Sequence, residues 1–361
     1  LLVVILFFFL QLKKMKKYFF LLSFILAAYA LHARVIRVNN NGVNCSNPLD
    51  CYTSLTAAYN ASNPGDTIHL EPSATSYGNF TFAKPLVILG NGFFLGNSAA
   101  NGNENLQYNT TATNCGNITV SSDADGIIIK GLYINILNTS GSNASNTLDN
   151  IIIERNRVIN GTSVNWTKNL YMVGNYIGNT LNTGLNSTSG NNANYYIANN
   201  VLWSFGFNTT DNGVFENNIL TGGSQPVSLE IYNSIVQNNI SATSTTHTFG
   251  NCTVRNNLGA GTGGNSYGTL NGNVTSVVMA NVFTDFANSS AAYSGDSRWL
   301  LKAGSPALGS GYNGVDCGIF GGNNPYALSG MPNIPSIYEF AAPATVSGDT
   351  ISISISSKIN N

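Results

Sequence analysis

The stretch Ile151-Ile152-Ile153-Glu154-Arg155-Asn156-Arg157-Val158 decides the fold. Within it an apolar residue, two intervening positions, an asparagine, one more position and a second apolar residue make a template that returns along the chain. The template recurs at Ile88/Asn91/Phe93, Met172/Asn175/Ile177, Tyr196/Asn199/Val201, Val214/Asn217/Ile219 and Ile235/Asn238/Ile240. Thr253/Asn256/Leu258 is a weaker copy, a looser one surrounds Asn281, and Leu132 takes the Asn place in the run 127–134. The asparagines at 156, 175, 199, 217, 238 and 256 lie 19, 24, 18, 21 and 18 residues apart, a spacing within the range of solenoid repeats.

Each unit holds a short apolar run, such as 151–153 or 195–197, between turns rich in Asn, Gly and Ser. A lone short strand cannot bury its apolar side. Coils stacked about 4.8 Å apart build a continuous core and a parallel sheet. Asparagine suits the corner because it tolerates left-handed backbone and bonds locally to main chain. Stacked corner amides also donate down the column, each bond worth about 1 kcal/mol net. The expectation is an all-β protein, a single-stranded right-handed parallel β-helix with a short N-terminal helix cap over 34–85, coils over 86–325 and a closing segment over 326–361.

Composition agrees with a turn-dense β protein. Charged residues are 9% of the 361, against about 25% in an average domain, so solubility falls to Asn, Ser, Thr and Gly. With 43% hydrophobic and 11% aromatic residues the chain is far from the disordered regime. A net charge of −1 gives no basis for a nucleic-acid partner or an acidic membrane surface.

Residues 1–33 read as an address rather than as fold. Met15-Lys16-Lys17, an apolar run over 18–29 and small residues at Ala28, Ala30 and Ala33 have the layout of a secretory signal peptide, cut after Ala30 or Ala33. Residues 1–14 precede that methionine and read as upstream frame or a fragment edge. Lysines at 13, 14, 16 and 17 divide the apolar stretch into halves too short to span a bilayer, which takes about 20 residues. A secreted or outer-surface protein, without a membrane span in the mature chain and monomeric, is therefore expected. Export permits disulfides. Of Cys45, Cys51, Cys115, Cys252 and Cys317, the first two bracket a short Pro-containing turn and are the expected pair. No spacing matches a metal motif, and Cys252 reads as a small buried hydrophobe.

The ends must protect open strand edges. Leu55, Ala58 and Tyr59 have helical spacing, followed by the turn Asn63-Pro64-Gly65-Asp66 and the strand Thr67-Ile68-His69-Leu70. At the other end Ile351, Ile353 and Ile355 alternate with serines, the pattern of a strand closing the last coil.

Ser54-Leu55-Thr56-Ala57-Ala58 with Asn63-Pro64-Gly65-Asp66-Thr67-Ile68 resembles the opening cap of pectin-lyase-like β-helix proteins. Leu301-Lys302-Ala303-Gly304-Ser305-Pro306-Ala307 and Gly314-Val315-Asp316-Cys317-Gly318-Ile319-Phe320-Gly321-Gly322 resemble secreted bacterial right-handed parallel β-helix repeat proteins, as do Pro325-Tyr326, Leu328-Ser329-Gly330 and Pro335-Ser336-Ile337-Tyr338. The resemblance implies fold and export. It implies no activity, since members with this ending largely lack an assigned one and fold alone does not supply function.

The chain lacks the Asn-Thr-Asp, Asp-Asp, Gly-His-Gly and Arg-Ile-Lys motifs of a polygalacturonase-type glycosidase; His69 and His247 sit in other settings. A lyase needs a Lys or Arg base and cations or Ca²⁺ for a uronate carboxylate. One region holds such groups: Asp123, Asp125, Lys130, Asp149, Glu154, Arg155 and Arg157. Aligning 127–134 with 151–158 places Lys130 over Glu154, which reads either as a substrate or Ca²⁺ site with Arg155 or Arg157 as base, or as an exposed ion pair worth under about 1 kcal/mol. Asp123, Asp125 and Asp149 are the polar ligand-binding candidates, with both Asp123 and Asp125 on one strand face. Tyr195, Tyr196, Trp203, Phe205 and Phe207 form an aromatic cluster that reads as core or, facing outward, as a sugar platform. The leading expectation is a protein that binds a polysaccharide or surface glycan without catalysis or cofactor. The alternatives are a lyase on an acidic glycan and a structural or adhesive surface protein.

Overall fold

The computed structural model describes residues 33–42, 50–96, 103, 106–141, 146–185, 194–209, 212–222, 228–244, 246–261, 267–343, 345 and 349–359. The chain alternates between two parallel sheets. Strands Val35–Val38, Thr67–Leu70, Val87–Leu89, Ile128–Lys130, Ile152–Glu154, Leu170–Val173, Tyr195–Ala198, Gly213–Glu216, Ile235–Gln237 and Thr253–Arg255 stack as the first sheet. The strand that follows most of these in sequence joins the second sheet, from Phe80–Phe82 through Tyr133–Ser140, Arg157–Val158 and Tyr176–Leu185 to Leu258–Gly259. The protein is thus an all-β parallel solenoid with very little helix.

Register explains the core. Ile68, Ile88, Ile129, Ile153, Met172, Ile197, Phe215 and Val236 are matched rung to rung and point inward, each fully buried. The short helix Leu55–Ala61 covers the first rungs as expected; Ser54 Oγ caps it by accepting the Ala57 amide at 3.2 Å, and Leu55 and Ala58 are its buried residues. Asp66 in the following turn accepts from the amides of Arg34 and Asn63, each at 2.8 Å. Burial alone would raise this carboxyl, but those bonds and the Arg34 guanidinium hold it below its ordinary value.

The corner asparagines behave differently from the repeat template. A buried column runs Asn156, Asn175, Asn200, Asn218, Asn239, Asn257 and Asn273, and each member donates Nδ2 to the Oδ1 of the next at 2.9–3.2 Å. Each Oδ1 from Asn175 onward also accepts the backbone amide of the preceding column member. From Asn156 to Asn257, Nδ2 also donates to a main-chain carbonyl of the preceding coil. Leu132 does take the Asn place at the head of the column, and its amide donates to Asn156 Oδ1 at 3.1 Å.

In the doublets Asn199-Asn200, Asn217-Asn218, Asn238-Asn239 and Asn256-Asn257, it is therefore the second asparagine that joins the ladder, one residue after the template position. The template slips there because both neighbours on the strand are apolar. Tyr196, Val214 and Ile235 satisfy it as well as Ile197, Phe215 and Val236, yet only the latter three face the core. Thr253 is a poor match because it is an outward residue; its neighbour Val254 continues the inner row.

The first asparagine of each doublet has its own role. Asn199, Asn217, Asn238 and Asn256 occupy the left-handed corner, with φ of 51–59°, in line with Arg155 at 55° and the glycines 131 and 174. Their side chains hold the returning C-terminal chain as a strap. Asn256 Nδ2 donates to Ser310 O at 3.0 Å, and Asn238 Oδ1 accepts the Tyr312 amide at 2.7 Å. Asn217 donates to Asp316 O and Gly318 O, and Asn199 to Ile319 O and Gly321 O.

The parallel rungs end at Leu258–Gly259, with a single bridge from Leu258 to Val274 beyond them. Residues 279–330, expected as further coils up to 325, instead carry short 3-10 turns and wrap the outside of the second sheet. Met279, Phe283, Trp299, Ile319 and Tyr326 pack there on the outward residues Tyr176, Val201, Ile219, Ile240 and Leu258. Fully buried Asp296 ties wrap to strap by accepting the Ser329 amide at 2.6 Å and Asn103 Nδ2 at 3.0 Å. The serine-alternating tail also departs from expectation. Strand Ser354–Ile359 pairs antiparallel with Pro335–Ala341 rather than with the last coil, because the strap has carried the chain back to Tyr108, whose amide donates to Ile337 O at 2.7 Å. Of the expected disulfide, Cys51 is disulfide-bonded and Cys45 lies outside the described residues; Cys115, Cys252 and Cys317 are free.

Removing one ladder amide orphans two buried main-chain groups of the preceding coil. Asn218→Ala is expected to lower the unfolding free energy by about 3 kcal/mol, since the Asn200 amide and the Ile197 carbonyl both lose a partner. Asn135→Ala, in the more exposed asparagine column with Asn117 and Asn160, is expected to cost under about 1 kcal/mol, both variants being compared with wild type by urea titration.

Candidate functional site

The charged cluster marked by the sequence is only partly assembled. Lys130 and Glu154 are register partners, and their ion pair measures 2.6 Å. Arg155 Nε reaches the other Glu154 oxygen at 3.3 Å, while its Nη1 donates to Met331 O of the strap at 2.7 Å. Glu154 and Arg155 line a cleft of about 200 Å³ with Tyr171 and the strap residues Asn323 and Asn324. Arg157 is not part of it. Two residues further on the chain has turned the corner, and Arg157 projects from the second sheet against the rings of Phe94 and Tyr133.

The acidic candidates sit in turn bonding. Asp123 and Asp125 lie in a turn, not on a strand, with Ala124 buried between them. Asp125 Oδ1 accepts the Asp149 amide at 2.7 Å, and Asp149 Oδ1 accepts Asn169 Nδ2 at 2.7 Å, which starts a second corner column. The aromatic candidates separate by strand alternation. Tyr195 is core: 4% exposed, with its hydroxyl donating to Ser234 Oγ at 2.8 Å. Trp203 is 41% exposed, whereas the side chains of Phe205 and Phe207 lie outside the described residues. Tyr196 faces outward, stacks on Tyr171 with centroids 5.3 Å apart, and donates to Glu216 Oε1 at 2.6 Å. Burial and that carboxylate push its phenol well up.

One apolar cleft was not foreseen. It holds about 490 Å³ between the outer face of the first sheet, the 107–109 segment and the C-terminal hairpin. Tyr108 and Phe340, 57% and 40% exposed, stand 5.6 Å apart at centroid, with Ile337 beside them and the amides of Asn91, Gln107 and Asn109 in the lining. His69 also lines it, and burial holds its imidazole below the ordinary range, so it is neutral near pH 7. These residues come from four distant parts of the chain. The only local signal was the outward position of His69 in a strand that alternates in burial.

No family model matches the chain, and neither the curated proteins nor the solved structures contain a match. No helix among the described residues is long and apolar enough to cross a membrane.

His247 lies inside the last coils against Phe249 and Tyr267, and its Nδ1 accepts the Leu229 amide at 3.2 Å. Burial pushes its imidazole down from 6.5 to about 4. Its contribution to stability is therefore complete above pH 6.5 and lost as pH falls toward 4, a loss of roughly 3 kcal/mol. Chemical denaturation of wild type and His247→Gln across this window is expected to show the extra acid sensitivity in wild type alone.

Proposed function

We propose that this chain is a secreted or cell-surface right-handed parallel β-helix that binds a glycan in the cleft under its C-terminal hairpin. The handedness follows the near-universal rule for parallel strands joined by crossovers within one sheet. Export rests on the signal-like residues 1–33. The observation that carries the binding reading is the exposed Tyr108/Phe340 pair in a cleft that Gln107 and Asn109 also line. Aromatic faces cover the C–H faces of a sugar ring while amides bond its hydroxyls. The cleft volume falls in the range of small-ligand sites.

A polysaccharide lyase is less well supported by the same geometry. Arg155 would have to act as a base while pairing with Glu154 and donating to Met331 O, and Arg157 stands on the other sheet.

A glycan array followed by calorimetry on the best ligand tests the reading. Tyr108→Ala and Phe340→Ala are each expected to weaken binding by about tenfold. A silent array, or affinity unchanged in both variants, contradicts it. Release of unsaturated, ultraviolet-absorbing products from a uronate polymer, abolished in Arg155→Ala, would favour the lyase instead.

A further inference from the structure

The outward row of the second sheet runs Tyr133, Arg157, Tyr176, Val201, Ile219, Ile240, Leu258 in register. Every member but one is aromatic or aliphatic, and from Tyr176 onward they form a core with the C-terminal wrap. Arg157 is the exception, and it sits where that cover ends. Its guanidinium carbon lies 4.0 Å from the centroid of Phe94 and 4.8 Å from that of Tyr133. The side chain makes no hydrogen bond or ion pair with any described residue, although a guanidinium carries five N–H donors. It remains partly exposed and lines a pocket of about 240 Å³ with Phe94, Thr110 and Tyr133.

The surroundings hold this arginine in place at some cost. Phe94 has φ of 52°, a left-handed conformation that is an outlier for a bulky side chain. Its ring is wedged edge-on against Tyr176 at 5.3 Å and over Gly295, where an added Cβ would come within 2.4 Å of the ring. Strain of this kind persists where the surrounding packing over-determines it, and it collects at ligand sites. With the guanidinium carbon this close to two rings and no polar partner among the described residues, its N–H groups are left for a ligand. A planar fork of that kind matches two oxygens of an oxyanion.

We propose that the Arg157 pocket is an oxyanion subsite, taking a carboxylate or sulfate group carried by a larger ligand. It lies on the opposite side of the 107–112 segment from the hairpin cleft, since Tyr108 and Asn109 line one pocket and Thr110 and Ala112 the other. The subsite does not depend on the glycan reading; an anion can occupy it whether or not the cleft holds a sugar.

The test follows the Arg157 Nε–Hε resonance while the full chain is titrated with glucuronate, glucose 6-sulfate and glucose. A saturable shift with either anion and none with glucose is expected, and the anion that produces it identifies the group. Arg157→Gln should weaken the anion at least about tenfold, as should Arg157→Lys, which keeps the charge and stem but loses the fork. The lysine variant keeps the test decisive if the glutamine variant does not fold. Absence of a saturable shift with both anions overturns the proposal. So does anion affinity that both variants leave within about twofold of wild type. Failure of the glycan reading would appear separately, as a neutral-glycan array that stays silent.

Discussion

A column of buried side-chain amides from Asn156 to Asn273 sets the geometry of this molecule. A solenoid must turn at every corner, and there main-chain groups leave the sheet hydrogen bonding. Left unpaired in the interior, each would cost about 1–3 kcal/mol. The ladder asparagine solves this with one group. Its Nδ2 serves a carbonyl of the coil before, and its Oδ1 takes an amide from the same coil. A carboxylate could not donate, and an ammonium could not accept. The column therefore locks one coil to the next, and the position of every outward residue follows from it.

The first asparagine of the doublet turns the same chemistry outward. In the left-handed corner its side chain points away from the core and meets the main-chain groups of the strap. Where the corner is Gly174 rather than Asn, that side-chain clamp is missing, and the strap leaves the cleft lined by Glu154 and Arg155. Arg155 itself fills a corner position and reaches the strap through its guanidinium. Neutral amides thus take over binding that charged pairs supply in other proteins, in keeping with a chain only 9% charged.

Legibility from sequence followed the range of the interactions. The repeat, the capping helix Leu55–Ala61 and the pairing of Lys130 over Glu154 are local or periodic, and all could be read. The Asn-Asn doublets could not be resolved, since a one-residue slip keeps both an asparagine and an apolar residue in the pattern. Arg155 and Arg157 looked like one cluster because sequence distance does not record a corner between them. Tyr195 and Tyr196 could not be sorted into core and platform, because strand alternation is ambiguous where both neighbours are aromatic or aliphatic. The cleft and the Arg157 pocket depend on the strap and wrap returning across the solenoid, and no local pattern encodes that return.

The division of labour within the doublets is the central claim, and hydrogen exchange of the asparagine side-chain amides tests it most directly. Nδ2 protons of Asn200, Asn218 and Asn239 should exchange only through global unfolding, because releasing them opens the core. Those of Asn199 and Asn217 should exchange at a lower free energy, together with the amides of the strap near Gly318 and Gly321. Equal protection of both members of each doublet would contradict the account.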